Sequence, residues 1–142
     1  MNNLMILHPM IGMMLLTFIV WLYLFAVRIP AMQKLQLPTQ TYTTPDKTHE
    51  LLPEEAAYPA NNLKNLFELP VLFYALCLML FATGEVDAIY VAAAWGFLGF
   101  RVLHSLIHCT INRVMARFLC YLASSVLLWL MVARAAIELF NA

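Results

Sequence analysis

Ionisable side chains stand at helical spacing within apolar sequence in the second half of the chain. Arg101, His104 and His108 occupy positions i, i+3 and i+7, so on a helix they share one face. Arg117 and Tyr121 form a matching stripe one turn long shortly afterwards. Guanidinium groups bind carboxylates through paired hydrogen bonds, so such a cluster is suited to an anionic ligand.

Three further polar residues border apolar stretches in the first half of the chain: Arg28, Asn65 and Glu68. Asn65 and Glu68 are one helical turn apart, and we expect them on one helix face. One interpretation is that these groups pair with one another and hold helices together, with Glu68 bound to an arginine. Three arginines and two protonatable histidines against one glutamate leave a cationic surplus, however, and that surplus favours an anion site.

A metal or haem site is an alternative interpretation of His104 and His108, because two histidines at i and i+4 can share a metal ion. The sequence has four histidines, and the other two, His8 and His49, fall in distant parts of the expected topology. No second helix supplies a further set of carboxylate and histidine ligands. We therefore expect no metal site, and we expect both histidines to form hydrogen bonds within the polar cluster.

The composition indicates where such a cluster would lie. Of 142 residues, 63% are hydrophobic and 11% are charged, against roughly 45–50% and about 25% in soluble domains. A small soluble domain leaves much of its chain exposed and could not cover this apolar surface. An ordinary soluble enzyme, a disordered chain and a disulfide scaffold are thereby excluded. Equal numbers of acidic and basic residues also leave no basic surface for nucleic acid.

Four apolar stretches are long enough to cross a bilayer, which takes about 20 residues. They cover about residues 8–32, 60–83, 87–111 and 115–140, and a polar loop covers about 33–58. The stretches lack the alternation of membrane strands. The sequence therefore predicts an all-α membrane protein with one domain, residues 1–142, folded as an up-and-down bundle of four transmembrane helices.

The orientation follows from the basic residues. Most of them border or lie in the first and third loops: Arg28, Lys34, Lys47, Lys64, Arg113 and Arg117. The positive-inside rule then predicts that these two loops are cytoplasmic and that both termini are outside. Arg134, near the opposite end of the last span, is the exception. With this topology, all the residues of the predicted anion site lie within about 15 Å of the cytoplasmic face, at 1.5 Å per helical residue.

At these residues the sequence resembles the membrane-associated proteins in eicosanoid and glutathione metabolism (MAPEG), the superfamily of the microsomal glutathione transferases. The second helix of that family carries Asn-x-x-Glu followed by Pro, which is similar to Asn65 to Pro70 here. The third and fourth helices resemble the prostaglandin E synthase pattern Arg-x2-His-x3-Tyr-x8-Arg-x3-Tyr. The spacing is kept, with His108 at the first Tyr. Lys64 and Phe118 also depart from the family, which often has arginine and serine there.

The resemblance implies a homotrimer that binds glutathione between neighbouring subunits, open to the cytosol. It implies that Arg28 faces a glutathione carboxylate and that Asn65 and Glu68 hold the amino and backbone groups. The full set of implied glutathione-binding residues is Arg28, Asn65, Glu68, Arg101, His104 and His108. It implies a catalytic role for Arg117, nearest the sulfur, and for Tyr121 beside it.

The function predicted on this basis is a membrane glutathione transferase, with peroxidase activity as an option. Its glutathione thiolate would attack small hydrophobic electrophiles from the surrounding lipid. An alternative within the same fold is a non-catalytic protein that binds lipid or acts as a scaffold. A third alternative, from another class, is a small membrane subunit that uses His104 and His108 for haem or quinone.

Overall fold

Helices form nearly the whole chain in the computed structural model, which describes residues 2–141. Within those residues there are six α-helices, two short 3₁₀ turns and no strand. The α-helices are α1 (Leu7–Leu35), α2 (Pro45–Leu51), α3 (Glu54–Leu66), α4 (Leu69–Thr83), α5 (Ala88–Cys109) and α6 (Val114–Phe140), and the 3₁₀ turns are Asn3–Ile6 and Thr39–Tyr42. The predicted all-α fold class is confirmed.

Four continuous or nearly continuous helical segments are long and apolar enough to cross a membrane. They are Asn3–Leu35, Glu54–Thr83, Ala88–Cys109 and Val114–Phe140. Large apolar side chains are exposed along each of them, for example Ile19, Leu78, Leu106 and Leu130. In a soluble protein such surfaces would favour aggregation, whereas a bilayer covers them. The protein is an integral multi-pass membrane protein.

The polar segment 33–58, predicted as a loop, is largely helical. It contains α2 and the start of α3, so the helical segment that carries the second predicted span begins at Glu54. Local start signals explain this. Thr44 caps α2 by accepting a hydrogen bond from the Lys47 N–H, and Pro45 holds the first helical position. Glu54 and Glu55 lie in the first turn of α3, where they interact favourably with the helix dipole.

The second span is broken between α3 and α4. Phe67 and Glu68 lie outside both helices. Pro70 causes the break, because it has no N–H and its ring would clash with the carbonyl of Leu66 in a continuous helix. The expectation that Asn65 and Glu68 share one helix face is therefore wrong. Asn65 remains on α3, whereas Glu68 is exposed at the break.

The helices pack as an antiparallel bundle around one apolar core. The α5–α6 hairpin makes the most extensive contact, while α1 packs against α3 and α5 and α4 packs against α1 and α6. Phe73 of α4 stacks on Phe97 of α5 with ring centroids 4.3 Å apart. Met13 of α1 and Leu128 of α6 are fully buried in the same core. This packing brings three helices, α3, α5 and α6, together at the end where the α5–α6 turn lies.

A polar network joins the start of α5 to the last turns of α6, at the end of the hairpin where the α4–α5 turn lies. We call it the α4–α5 clamp after that turn, and it consists of Asp87, Tyr90, Arg134 and Glu138. Arg134 donates two hydrogen bonds to the Asp87 carboxylate, one of them at 3.0 Å, and one at 2.8 Å to Glu138. The Tyr90 hydroxyl donates to the other Glu138 oxygen at 2.6 Å. Two carboxylates more than balance one guanidinium, so Arg134 adds no surplus positive charge at this end. This pairing explains why an arginine can lie at the end of the bundle that the positive-inside rule places outside.

The clamp gives a testable pH dependence. Arg134 hydrogen-bonds to Asp87 and holds the pKa of that carboxyl below its usual range. A lowered folded-state pKa stabilises the fold above the unfolded pKa, about 3.9, and that stabilisation is lost as the pH falls further. Since both side chains are partly exposed, we expect Asp87→Asn to cost about 1 kcal/mol at neutral pH. We also expect it to flatten the pH dependence below pH ~4.

Thermal unfolding in detergent across this pH range measures the effect. Asparagine caps a helix nearly as well as aspartate, so Asp87→Asn removes the ion pair and keeps the cap that Asp87 provides to Ile89 and Tyr90. Asp87→Ala, which removes both, is the matched comparison and should be less stable by about a further 1 kcal/mol. Identical acid profiles for wild type and Asp87→Asn would show that the pair contributes nothing.

Candidate ligand-binding site

The α5–α6 turn brings the two predicted stripes into contact. α5 ends at Cys109 and α6 begins at Val114, so only a short turn separates them. Asn112 has φ 46°, in the left-handed region that asparagine tolerates well. Its side-chain oxygen accepts a hydrogen bond from the guanidinium of Arg117. Asn112 thus shapes the turn and holds Arg117, a role that the sequence analysis missed although Asn interrupting an apolar run signals a turn.

Arg101 lies at the centre of the cluster and is fully buried. Its Cζ atom is 4.7 Å from the ring centroid of Tyr121 and 5.4 Å from that of Phe97. Its only hydrogen bond among the described residues is a long one, from Nη1 to the Asn65 carbonyl at 3.5 Å. Nε and Nη2 are enclosed without a partner. A buried cation without a carboxylate is costly, so these free N–H groups indicate a position for an anion.

The structure does not favour the alternative in which the cluster pairs internally. Within residues 2–141, both ion pairs belong to the α4–α5 clamp and involve Arg134. Glu68, the acid expected to pair with an arginine, is exposed and forms no ion pair among these residues. The cationic surplus inferred from the sequence therefore remains in the folded chain.

His104 connects three helices through both of its ring nitrogens. Nδ1 lies 2.8 Å from the carbonyl oxygen of Arg117, and Nε2 lies 3.4 Å from the side-chain nitrogen of Asn65. Because a carbonyl only accepts, Nδ1 carries the hydrogen; because the amide nitrogen only donates, Nε2 accepts. This hydrogen-bond network assigns a neutral ring. His104 thus positions α3 and α6 relative to α5 and has no free nitrogen.

His108 lies one turn beyond His104 and is also buried. The two rings are perpendicular, with centroids 5.5 Å apart. Unlike His104, His108 has an enclosed Nδ1 with no hydrogen-bond partner. Such an unsatisfied buried nitrogen costs about 1–3 kcal/mol, so it needs an explanation.

A second polar network lies beside the cluster and was missed in the sequence. Asn62 of α3 is fully buried and accepts a hydrogen bond from Ser105 of α5 at 3.3 Å. The Asn62 amide also donates to the sulfur of Cys109 at 3.5 Å. Its spacing of one turn from Asn65 could have indicated a shared face. The network holds α3 against α5 beside the cluster.

The structure brings together six of the eight predicted site residues: Asn65, Arg101, His104, His108, Arg117 and Tyr121. Among the described residues, the side chains of the other two form no hydrogen bond or ion pair with this cluster. Arg28 is half-buried in a small crevice beside His49 and Ala56, and Glu68 is at the α3–α4 break. Among the described residues, no three His, Cys, Asp or Glu side chains lie close enough together to hold a metal ion.

The cluster is closed in this conformation. Tyr121 and Phe97 cover the Arg101 guanidinium, so an anion reaches its free N–H groups only when a covering side chain moves. Arg117, by contrast, is half-buried near the turn. A ligand would therefore meet Arg117 first and Arg101 after an opening of the cluster.

The fold and this cluster define a class: a four-span helical membrane protein with a buried, cationic polar site at one end of the bundle. The family model of the MAPEG family matches residues 6–137, which include the second and third spans, most of the first and fourth, and the whole cluster. The chain therefore belongs to the MAPEG family, and the predicted membership is confirmed. No curated protein and no solved structure matches the chain. Membership places it among membrane proteins related to glutathione and eicosanoid metabolism, a family that includes enzymes and non-catalytic members.

Proposed function

We propose that the protein is a membrane-bound glutathione transferase that conjugates the glutathione thiolate to small hydrophobic electrophiles. The observation that carries this proposal is the buried Arg101 guanidinium with two unpartnered donor nitrogens, close to the half-buried Arg117. Glutathione offers two carboxylates, one ammonium group and one thiol. A site with two arginines, neither of them paired with a carboxylate among the described residues, has the signs needed for its carboxylates and its thiolate.

Arg117 is the group proposed to stabilise the thiolate. A thiol with a pKa near 8.5 is mostly protonated at neutral pH, and an adjacent guanidinium increases its thiolate fraction. The thiolate, rather than the thiol, attacks electrophiles. Arg117 is oriented by Asn112 and lies beside Tyr121 on α6, while Asn65 is available for the peptide backbone of glutathione.

Arg28 and Glu68 are proposed to act across a subunit boundary. Within residues 2–141, neither side chain forms a hydrogen bond or an ion pair with the cluster of its own chain, so in a homotrimer they can face the cluster of a neighbour. There Arg28 would bind a glutathione carboxylate and Glu68 its ammonium group. Native mass spectrometry in mild detergent tests the trimer, and a protein that is only monomeric would contradict this part of the proposal.

A glutathione titration by calorimetry in detergent tests the proposed function most directly. We expect saturable binding that is weakened by Arg101→Met and unaffected by Arg113→Met, because Arg113 is an exposed arginine of the same turn. Turnover with aryl halides and with lipid hydroperoxides then separates transferase from peroxidase activity. Failure of glutathione to bind under any of these conditions would overturn the proposal.

A non-catalytic lipid-binding role is a second candidate, supported by one observation. A groove of about 520 Å³ lies between α1 and α5 and is lined mainly by apolar side chains such as Leu16, Ile19 and Leu98. Binding of glutathione without turnover of any electrophile or peroxide would favour this candidate. The haem alternative has no such support, because both ring nitrogens of His104 are engaged.

The proposed topology has the α5–α6 turn and segment 33–58 in the cytoplasm and both termini outside. Thr43 and Asn141 are exposed and suit cysteine labelling. In intact cells, we expect a membrane-impermeant thiol reagent to label Asn141→Cys and to label Thr43→Cys only after permeabilisation. External labelling of Thr43→Cys would overturn both the orientation and the cytosolic access of the site.

A further inference from the structure

The two histidines of the cluster are not equivalent. His104 uses both ring nitrogens to hold α3 and α6, as a neutral ring with its hydrogen on Nδ1. His108 is 3% exposed, and its Nδ1 is enclosed without a partner. Only His108 therefore has a buried nitrogen that is free to accept a proton.

We propose that His108 is the proton acceptor for the bound thiol, an inference that rests on the proposed function. In this step the S–H bond breaks and its electron pair stays on sulfur. The proton forms a new bond to Nδ1 of His108, and the guanidinium of Arg117 stabilises the thiolate. The sulfur then forms a C–S bond to the electrophile while the bond from that carbon to the leaving group breaks, and the leaving group departs with the electron pair. The imidazolium passes its proton to the leaving group or to water, which regenerates the neutral ring.

The surroundings of His108 suit this step. The ionisable groups that face it are His104 on the same helix and Arg117 on α6. From α3, the neutral amide of Asn62 bonds to Ser105 and Cys109, which lie near His108 in the sequence of α5, and from α1 the phenol of Tyr23 lines a groove that Ser105 and Cys109 also line. The accepting form is the neutral ring, in which the unpartnered Nδ1 offers a lone pair. The new thiolate then offsets the charge on the imidazolium.

The position of His108 explains why the acceptor is this residue and not its neighbour. His108 is nearer than His104 to the α5–α6 turn, where Asn112 holds the guanidinium of Arg117. A thiolate held by that guanidinium would lie at the same end of the bundle as the free nitrogen of His108. His104 by comparison contacts the backbone carbonyl of Arg117 and has no ring nitrogen left free.

Stopped-flow measurement of thiolate formation tests the proposal, with thiolate absorbance and proton release followed across the pH range. We expect His108→Tyr, which places the aromatic residue of the family pattern there, to bind glutathione but to form thiolate about 10²-fold more slowly. The wild-type rate should fall as the pH drops and His108 becomes protonated, and this dependence should be absent in the variant. His8→Gln, at an exposed histidine of α1, is the matched control and should behave as wild type.

Chemical rescue separates proton transfer from a structural role. His108→Ala leaves a space for a ring, so we expect added imidazole to restore part of the rate in proportion to its neutral fraction. Variants that bind glutathione normally and keep the wild-type rate and pH profile would overturn the proposal. Absence of glutathione binding in the wild type would overturn the proposed function and this inference together, and the calorimetric titration distinguishes the two cases. His108→Gln replaces His108→Tyr if the larger side chain prevents folding.

Discussion

Arg117→Ala is expected to lower the rate of glutathione conjugation by about 10²-fold or more, the usual scale for losing one preorganised donor that stabilises developing charge. The guanidinium is half-buried, where the lower dielectric strengthens its effect on a thiolate. The hydrogen bond from His104 goes to the backbone carbonyl of Arg117, so alanine leaves it in place. The loss should therefore appear in turnover more than in the position of the helices.

Glutathione affinity should fall less than the rate, because Arg101 still binds a carboxylate. Arg117→Lys should restore only part of the rate, since an ammonium group lacks the planar fork that both Asn112 and the thiolate use. Steady-state kinetics and calorimetry on the same preparations give both quantities, and Arg113→Ala is the control for charge at the turn. Equal rates for Arg117→Lys and wild type would reduce Arg117 to an anchor at the lipid headgroups.

Arg101→Met is expected to weaken glutathione binding without lowering the stability of the fold. Charge-assisted hydrogen bonds contribute about 1.5–3 kcal/mol each, so the loss of one should weaken glutathione binding by about 10- to 100-fold. The fold should not suffer, because replacing an unpaired buried charge with an apolar side chain of similar length is often neutral or stabilising. Methionine is long and flexible enough to fill the space between Phe97 and Tyr121.

Calorimetric titration and thermal unfolding of the same variant decide this prediction. A melting temperature equal to or above that of wild type, together with weaker binding, supports a site that keeps a costly cation for its ligand. A large loss of stability with unchanged affinity would instead show that Arg101 serves the packing of α5 against α6. Phe97→Leu, which removes one of the two rings over the guanidinium, provides a comparison in which the charge is kept.

Much of the fold could be predicted because it depends on composition and short-range periodicity. The four spans follow from runs of apolar residues, and the meeting of Arg101 and His104 with Arg117 follows from two stripes joined by a short turn. Pro70 also encodes the break at Glu68, whereas the spacing of the motif Asn-x-x-Glu alone predicts a continuous helix. The polarity of segment 33–58 predicts a loop, but the same segment also contains the helix start signals of α2 and α3.

Other features depend on register between distant helices and could not be predicted. The pairing of Asp87 with Arg134 joins residues 47 positions apart, and one turn of sliding between α5 and α6 would remove it. The roles of the two histidines also depend on tertiary contacts. His104 is neutral because a carbonyl from α6 and an amide from α3 reach its two nitrogens, and nothing in the spacing of the sequence distinguishes it from His108.

The α4–α5 clamp has a mechanical consequence for the site at the other end of the bundle. The two helices of the α5–α6 hairpin are bonded to each other near both ends, by the Asp87–Arg134 pair and by the 2.8 Å bond between His104 and Arg117. The bonds from Asn65 of α3 to the hairpin are longer, 3.4 and 3.5 Å, and α3 ends at the break beside Glu68. We therefore expect an opening of the cluster to break the contacts of Asn65 before those within the hairpin, so that Arg117 and His108 would keep their spacing as a ligand entered.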